Sequence, residues 1–179
     1  MIYIRTKLQG AYIIDIEPHN DERGFFARSW CSSEFAQRGL STTLSQCNIS
    51  FNKKRGTLRG MHYQSHPYAE EKLVRCTKGA IYDVIVDLNK QSPTFLQWLS
   101  VELTEDNYRM LYVPKIFAHG FQALSDNSEV FYQISTPFKP DHSTGFIWND
   151  PLIDIQWPIE NPIISQRDSN FDKLSSLFG

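Results

Sequence analysis

Between residues 42 and 148 the chain reads as one short strand after another. The clearest case is 80–88, where Ala80, Tyr82, Val84, Val86 and Leu88 alternate with Ile81, Asp83, Ile85 and Asp87. That is a period of two rather than 3.6. Further strands are predicted over 46–52, 57–64, 72–77, 95–103, 109–113, 120–125, 129–135 and 145–148. The breaks between them are turn chemistry: Lys-Gly, Asn-Lys-Gln-Ser-Pro, Glu-Asp-Asn and Asp-Asn-Ser. Upstream, 11–17 reads as a strand closed by Pro18, 19–24 as a charged turn, and 25–30 as an extended aromatic segment. Residues 32–39 form the best helical pattern of the first half, with a serine to cap its start and Gly39 to take a left-handed position at its end. The tail, 168–177, reads as a short closing helix. Many short strands without long helices between them predict an all-β sandwich or barrel with short peripheral helices, formed as a single domain over 1–179.

Composition narrows this little. A net charge of −2 gives no basic field for nucleic acid, although a local Arg/Lys cluster is enough to bind a small anion. Aromatic residues make up 13% of the chain, which suits the filled interior of a barrel. No apolar run approaches the ~18 residues of a membrane span, and residues 1–7 lack a signal-peptide layout. Cys31, Cys47 and Cys76 are odd in number and lack CxxC spacing, so they read as free thiols in a reducing compartment. A cytoplasmic protein is expected.

The polar residues within the strand pattern change the picture more. The stretch 56–75 is apolar and strand-like, yet it carries Arg59, His62, Lys72 and Arg75. Buried charge is costly without a partner or a task. Each residue taken singly has a plain reading. His62 can be a hydrogen-bonded core histidine, Lys72 a solvated strand end, and Tyr132 a core tyrosine with its hydroxyl satisfied. His119 can be a loop histidine, and Asp168 a helix cap. Arg23, Arg55, Arg59, Arg75, Lys53 and Lys54 are candidate anion ligands or ordinary surface charge. Strict alternation sets His62 and Arg59 on opposite strand faces. Both line one pocket only if the strand bends or bulges, and Gly60 between them is a suitable place for that.

The arrangement resembles the cupin superfamily of double-stranded β-helix (jelly-roll) barrels. The metal-binding pattern of that superfamily is incomplete here. His62-Tyr-Gln64 has glutamine at the second histidine, Glu70-Glu71-Lys72 stands near the expected glutamate, and a second motif survives as 114–119 with His119. Two histidines without further ligands make a poor transition-metal site, so a metal-free site is expected.

More closely, the chain resembles the dTDP-4-dehydrorhamnose 3,5-epimerase family. The matching pieces are Asp21-Glu-Arg-Gly-Phe-Phe26, Gln46-Cys-Asn48, Gly56-Thr-Leu-Arg-Gly-Met-His-Tyr-Gln64, Lys72-Leu-Val-Arg75, Asp83-Val-Ile-Val-Asp87, Ser92-Pro-Thr-Phe95, Ala118-His-Gly-Phe121, Phe131-Tyr132, Trp148-Asn-Asp-Pro151 and Trp157-Pro158. They keep the family's order almost end to end. The resemblance implies a homodimeric jelly roll without a cofactor, acting on a nucleotide-diphospho-sugar in deoxysugar and surface polysaccharide biosynthesis. It implies His62 as base with Asp168 as its acidic partner, Lys72 beside the C4 carbonyl, and Tyr132 as proton donor. Arg23, Phe26, Gln46, Asn48, Arg59, His119 and Arg167 match substrate-contacting positions.

Four positions depart from the pattern. Arg28 and Ser143 each stand where the family has glutamate, Phe138 replaces a tyrosine, and Ile116 replaces a glycine. The nucleotide base (thymidine, cytidine or guanosine) and the extent of inversion, at C3 alone or at C3 and C5, stay open. A 3,4-ketoisomerase uses the same enolate with a different proton destination. A metal-dependent cupin and a non-catalytic sugar-binding cupin are the remaining alternatives.

Overall fold

The structure, a computed structural model, describes residues 1–177. In chain order the strands are β1 (Ile2–Arg5), β2 (Tyr12–Asp15), β3 (His19–Asp21), β4 (Gly24–Phe26), β5 (Gln46–Asn52), β6 (Thr57–Gln64) and β7 (Lys72–Lys78). They continue with β8 (Ala80–Asp87), β9 (Trp98–Thr104), β10 (Met110–Val113), β11 (Phe117–Ala123), β12 (Ser128–Ile134), β13 (Ser143–Gly145) and β14 (Ile163–Ile164). Two short helices, α1 (Ser32–Ala36) and α2 (Gln166–Ser169), lie outside the strands.

Apart from β3 and β4, which pair only with each other, the strands form two facing sheets. One runs β1-β2-β10-β7-β12-β5; the other runs β13-β6-β11-β8-β9, with β14 paired in parallel to β6. Strands near in sequence fall in opposite sheets (β5 and β6, β7 and β8, β10 and β11), which is the connectivity of the expected jelly roll.

Both sheets contribute to the apolar layer between them. Val74, Cys76, Leu111 and Val130 from the first sheet meet Ile81, Ile85, Leu103, Phe117 and Phe121 from the second. On the outer side of the second sheet, Met61, Val84, Val86 and Ala118 are covered by Phe146, Ile153, Ile155 and Leu174. β8 is therefore buried on both faces, which is why both halves of its alternation are apolar and why Asp83 and Asp87 stand out. On the outer side of the first sheet, Phe35 packs with Ile14, Leu73, Met110 and Tyr112. Phe35 is 1% exposed, and burying such a ring contributes about 1.5–3 kcal/mol.

The structure corrects several boundaries. The first helix ends at Ala36, and its N-cap is Cys31, which makes no side-chain cap bond. Gly39 does take a left-handed φ of +68°. The expected turn at 19–24 contains β3, which pairs with β4 as a hairpin. The strand expected from 95 begins at Trp98, after Leu96 turns the chain at φ +64°. The closing helix is split into α2 and a 3-10 turn at Leu174–Leu177. The break is set by tertiary bonds: Ile147 N donates to Asp172 O, and Leu174 N donates to Asp150 Oδ2 at 2.6 Å.

Candidate active site

β6 pairs with β11 across a register shift. His62 faces His119 and Arg59 faces Phe121, so Gly60 and Met61 together oppose Gly120. This bulge moves Arg59 to the same side as His62, which strict alternation forbids. Met61 turns into the outer apolar layer at 0% exposure. Glycine is needed at position 60: its φ is +133°, and a Cβ there would lie 2.6 Å from the Gly120 Cα.

His62 is held from behind. Its Nε2 lies 2.8 Å from Asp168 Oδ1, across 106 residues of sequence. Asp168 Oδ2 accepts the Gly60 N–H at 3.1 Å, so one carboxylate fixes both the imidazole and the bulge. Asp168 sits within α2, whose N-cap is Ser165; the Ser165 hydroxyl accepts the Asp168 N–H at 3.1 Å. Asp168 is therefore not the helix cap. Burial pushes its carboxyl up, but the hydrogen bond and charge of His62 and the bonds from Gly60 and Ser165 outweigh burial and hold it below the ordinary aspartate value. The Phe171 ring stands edge-on to His62, with centroids 5.9 Å apart.

Lys72 opens β7 and is buried. Its Nζ lies 3.1 Å from Glu70 Oε1. Tyr132, on the adjacent β12, stands opposite Asn48 of β5. Burial raises its phenol, the Glu70 charge adds to that, and Arg59 opposes it. The residues facing each other across the two sheets are thus a histidine–aspartate pair, a buried ammonium and a half-buried phenol.

Around them, His119 Nε2 lies 2.8 Å from Asp83 Oδ1, forming a second histidine–carboxylate pair beside the first. Arg59 is anchored by its Nε to Asn52 Oδ1 at 2.8 Å and by an Nη to Phe51 O at 3.3 Å. Gln64 is committed to the scaffold: its Oε1 accepts from Lys139 N at 2.6 Å, and its Nε2 donates to Tyr68 O at 3.0 Å. Arg167 donates to the Ser143 carbonyl at 3.1 Å and to its hydroxyl at 3.0 Å. Among the described residues no group of three or more His, Cys, Asp or Glu side chains is placed to hold a metal ion.

Two cavities share His62, Lys72 and Tyr132 in their walls. One, of about 360 Å³, is lined by Gln46, Asn48, Gln64, Glu70, Phe138 and Arg167 among others. The other, of about 380 Å³, reaches Arg59, His119 and Phe121. The structure thus brings together His62, Lys72, Tyr132, Gln46, Asn48, Arg59, His119 and Arg167, with Asp168 behind His62. It does not bring Arg23 or Phe26 to either cavity. Both lie on the β3–β4 hairpin, where Arg23 pairs with Asp21 and Phe26 is 74% exposed. Of the departing positions, Phe138 and Ser143 line the first cavity, Arg28 pairs with Glu34 at the surface, and Ile116 is exposed with φ +62°. Sequence reasoning missed Glu70 and Asp83 as members of the site. An aspartate at an inward position of an apolar strand was a signal for Asp83; Glu70 was noted only with Glu71 as standing near the glutamate of the metal-binding pattern.

The chain has relatives among known proteins. A family model described as dTDP-4-dehydrorhamnose 3,5-epimerase matches residues 5–176. The Shigella flexneri dTDP-4-dehydrorhamnose 3,5-epimerase is 41% identical, covering 97% of this chain and 96% of its own. The Bacillus anthracis enzyme of that name, solved with TDP and PPi bound, is 40% identical and superposes with a TM-score of 0.93, covering 97% of this chain and 99% of that one. The dTDP-6-deoxy-D-glucose-3,5-epimerase of Legionella pneumophila, solved in complex with dTDP-4-keto-L-rhamnose, is 35% identical, with a TM-score of 0.91 over 97% of this chain and 93% of that one.

Proposed function

We infer the chemistry of this site from the premise that the chain belongs to the dTDP-4-dehydrorhamnose 3,5-epimerase family. The protein is an isomerase of deoxysugar biosynthesis, inverting carbon centres beside the ketone of a nucleotide-linked 4-keto-6-deoxyhexose. Our reading is that the nucleotide is dTDP and that both C3 and C5 are inverted.

The hydrogens on C3 and C5 flank the C4 carbonyl, so removing either gives an enolate. In the proposed mechanism the ring nitrogen of His62 that does not face Asp168, Nδ1, takes the proton. Asp168 holds the Nε2–H tautomer and stabilises the imidazolium that forms. The Lys72 ammonium faces the oxygen on which negative charge develops, where a water-poor cavity strengthens the attraction. Tyr132 delivers a proton to the opposite face, and inversion follows. Arg59 and His119 hold the diphosphate, which fixes the sugar against the base. The observation that carries this reading is the convergence of His62, Lys72 and Tyr132 on the wall common to the two cavities, with Asp168 bonded behind His62.

Arg23 and Phe26 match substrate-contacting positions, yet they stand on an exposed hairpin away from this chain's own cavities. We take this as support for a homodimer in which the hairpin serves the other protomer. The free thiols Cys31, Cys47 and Cys76 suit the cytoplasm, and among the described residues no helix is long and apolar enough to cross a membrane.

The test is a ¹H NMR assay in deuterium oxide against dTDP-, CDP- and GDP-linked 4-keto-6-deoxyhexoses. Deuterium is expected at C3 and C5 of the dTDP substrate with the carbonyl still at C4. Exchange at C3 alone makes the enzyme a 3-epimerase, a shifted carbonyl makes it a ketoisomerase, and no exchange with any of the three refutes the reading.

A further inference from the structure

Glu70 and Glu71 are neighbours in sequence but diverge in the structure. Glu71 serves the scaffold: its carboxylate accepts from the Ser135 hydroxyl, its backbone N–H donates to the same hydroxyl at 2.9 Å, and it lies 3.5 Å from Lys115. Glu70 turns inward and lines the first cavity with Lys72, His62 and Tyr132. Its side chain is 8% exposed. One oxygen reaches Lys72 Nζ at 3.1 Å; the other, Oε2, is buried and has no hydrogen-bond partner. An ionised carboxylate with one unpartnered buried oxygen is an expensive arrangement for a site that needs only packing. Glutamine or methionine would fill the same space at less cost.

We propose that Glu70 is a positioning residue of the active site, holding the Lys72 ammonium against the cavity wall at the place where the enolate oxygen forms. This inference rests on the reaction proposed above. Lysine is a flexible four-carbon stem bearing a point charge, and without a partner its ammonium has no fixed address in a cavity this wide. The Glu70 carboxylate, in the loop just before β7, gives it one. Glu70 also has a second effect. It adds negative charge beside Tyr132, and that charge favours the protonated phenol, the form able to donate. The charged and titratable groups lining the two cavities with Tyr132 from the other elements are Arg59, His62 and Tyr63 of β6, Lys72 of β7, His119 of β11 and Arg167 of α2. Arg59 works against Glu70, pulling the phenol down. Tyr132 thus sits between an acid that keeps its proton on and an arginine that loosens it.

The experiment compares the full-length parent with Glu70→Gln and Glu70→Asp in the deuterium-exchange assay across pH. Glutamine keeps size and hydrogen-bonding capacity but removes the charge. For Glu70→Gln, kcat is expected to fall up to about 100-fold, as for a misplaced catalytic group, with KM changed by less than about threefold. The basic limb of the kcat profile should move to lower pH, because the charge that keeps the Tyr132 phenol protonated is gone. Glu70→Asp keeps the charge but retracts it, so kcat should fall while the basic limb stays near that of the parent. A purely structural role would lower thermal stability and leave the limb in place. A folded Glu70→Gln protein with parental kcat and an unmoved limb overturns the inference while leaving the reaction standing. If Glu70→Gln does not fold, parental kcat in Glu70→Asp overturns it equally. Absence of exchange in the parent overturns the reaction, and this inference with it.

Discussion

Replacing Asp168 with asparagine tests the site at the point where structure and chemistry meet most tightly. Asp168 accepts two hydrogen bonds with two oxygens: His62 Nε2 at 2.8 Å and the Gly60 N–H at 3.1 Å. Asparagine has one oxygen and one NH₂, so it satisfies both neighbours in one orientation only. If the NH₂ faced Gly60, two donors would meet and a buried backbone N–H would lose its acceptor, at a cost of about 1–3 kcal/mol. The amide therefore turns its oxygen to Gly60 and donates to His62 Nε2. That choice preserves the bulge but forces the imidazole proton onto Nδ1, the nitrogen proposed to act as base. Folding should survive and proton abstraction should not. A general base contributes about 10²–10⁴-fold, equivalent to about 3–5 kcal/mol of barrier. Asp168→Asn should lose that much of the initial rate of deuterium incorporation at saturating substrate, with little change in thermal midpoint. A variant that folds and exchanges within about tenfold of the parent would refute the assignment of His62 as an Asp168-oriented base.

Tyr132→Phe should stop inversion, with a loss of product of about 10²–10⁴-fold, while His62 still abstracts the hydron, exchanges it with solvent and reprotonates the same face; washout of substrate deuterium without formation of the epimer is the expected NMR signature. Gly60→Ala should lower the urea midpoint and abolish exchange together. Its Cβ would meet the Gly120 Cα at 2.6 Å with φ at +133°, a position costing about 1–3 kcal/mol in backbone strain alone. The Asp168 carboxyl is held below its unfolded value, so it adds stability above that value, about pH 4, and loses it as pH falls through the lower folded value. Urea unfolding from pH 6 down to about pH 3 should therefore show a steeper loss for the parent than for Asp168→Asn.

The regular part of the fold was legible because its physics is local. β5 and β6 lie where alternation and turn residues placed them, over Gln46–Asn52 and Thr57–Gln64. What the pattern missed lacks a local signature. The hairpin strand β3 is His19-Asn-Asp21, turn residues by composition, and is extended only because β4 pairs with it. β14 is two residues long and exists through its parallel pairing with β6. The tail breaks at 170–173 because Asp150 and Ile147 compete for its backbone.

The site divides the same way. Alternation, with charged residues where a buried strand avoids them, singled out Arg59, His62 and Lys72 before any contact was visible. The resemblance to the epimerase family, carried by the order of the matching pieces, tied them to Tyr132 and Asp168. The sequence by itself therefore determined the sheet pattern and the polar strand residues Arg59, His62 and Lys72, because strand period and the cost of buried charge act residue by residue, while the other site residues followed from the family resemblance. Only the tertiary structure decided which of these meet. A register shift at Gly60 put Arg59 and His62 on one face. A contact across 106 residues gave His62 its partner. The divergence of two adjacent glutamates made one a scaffold bond and the other a buried anion behind Lys72. Those outcomes depend on pairing and packing between distant segments, and only the bulge had a local sign, the glycine at position 60.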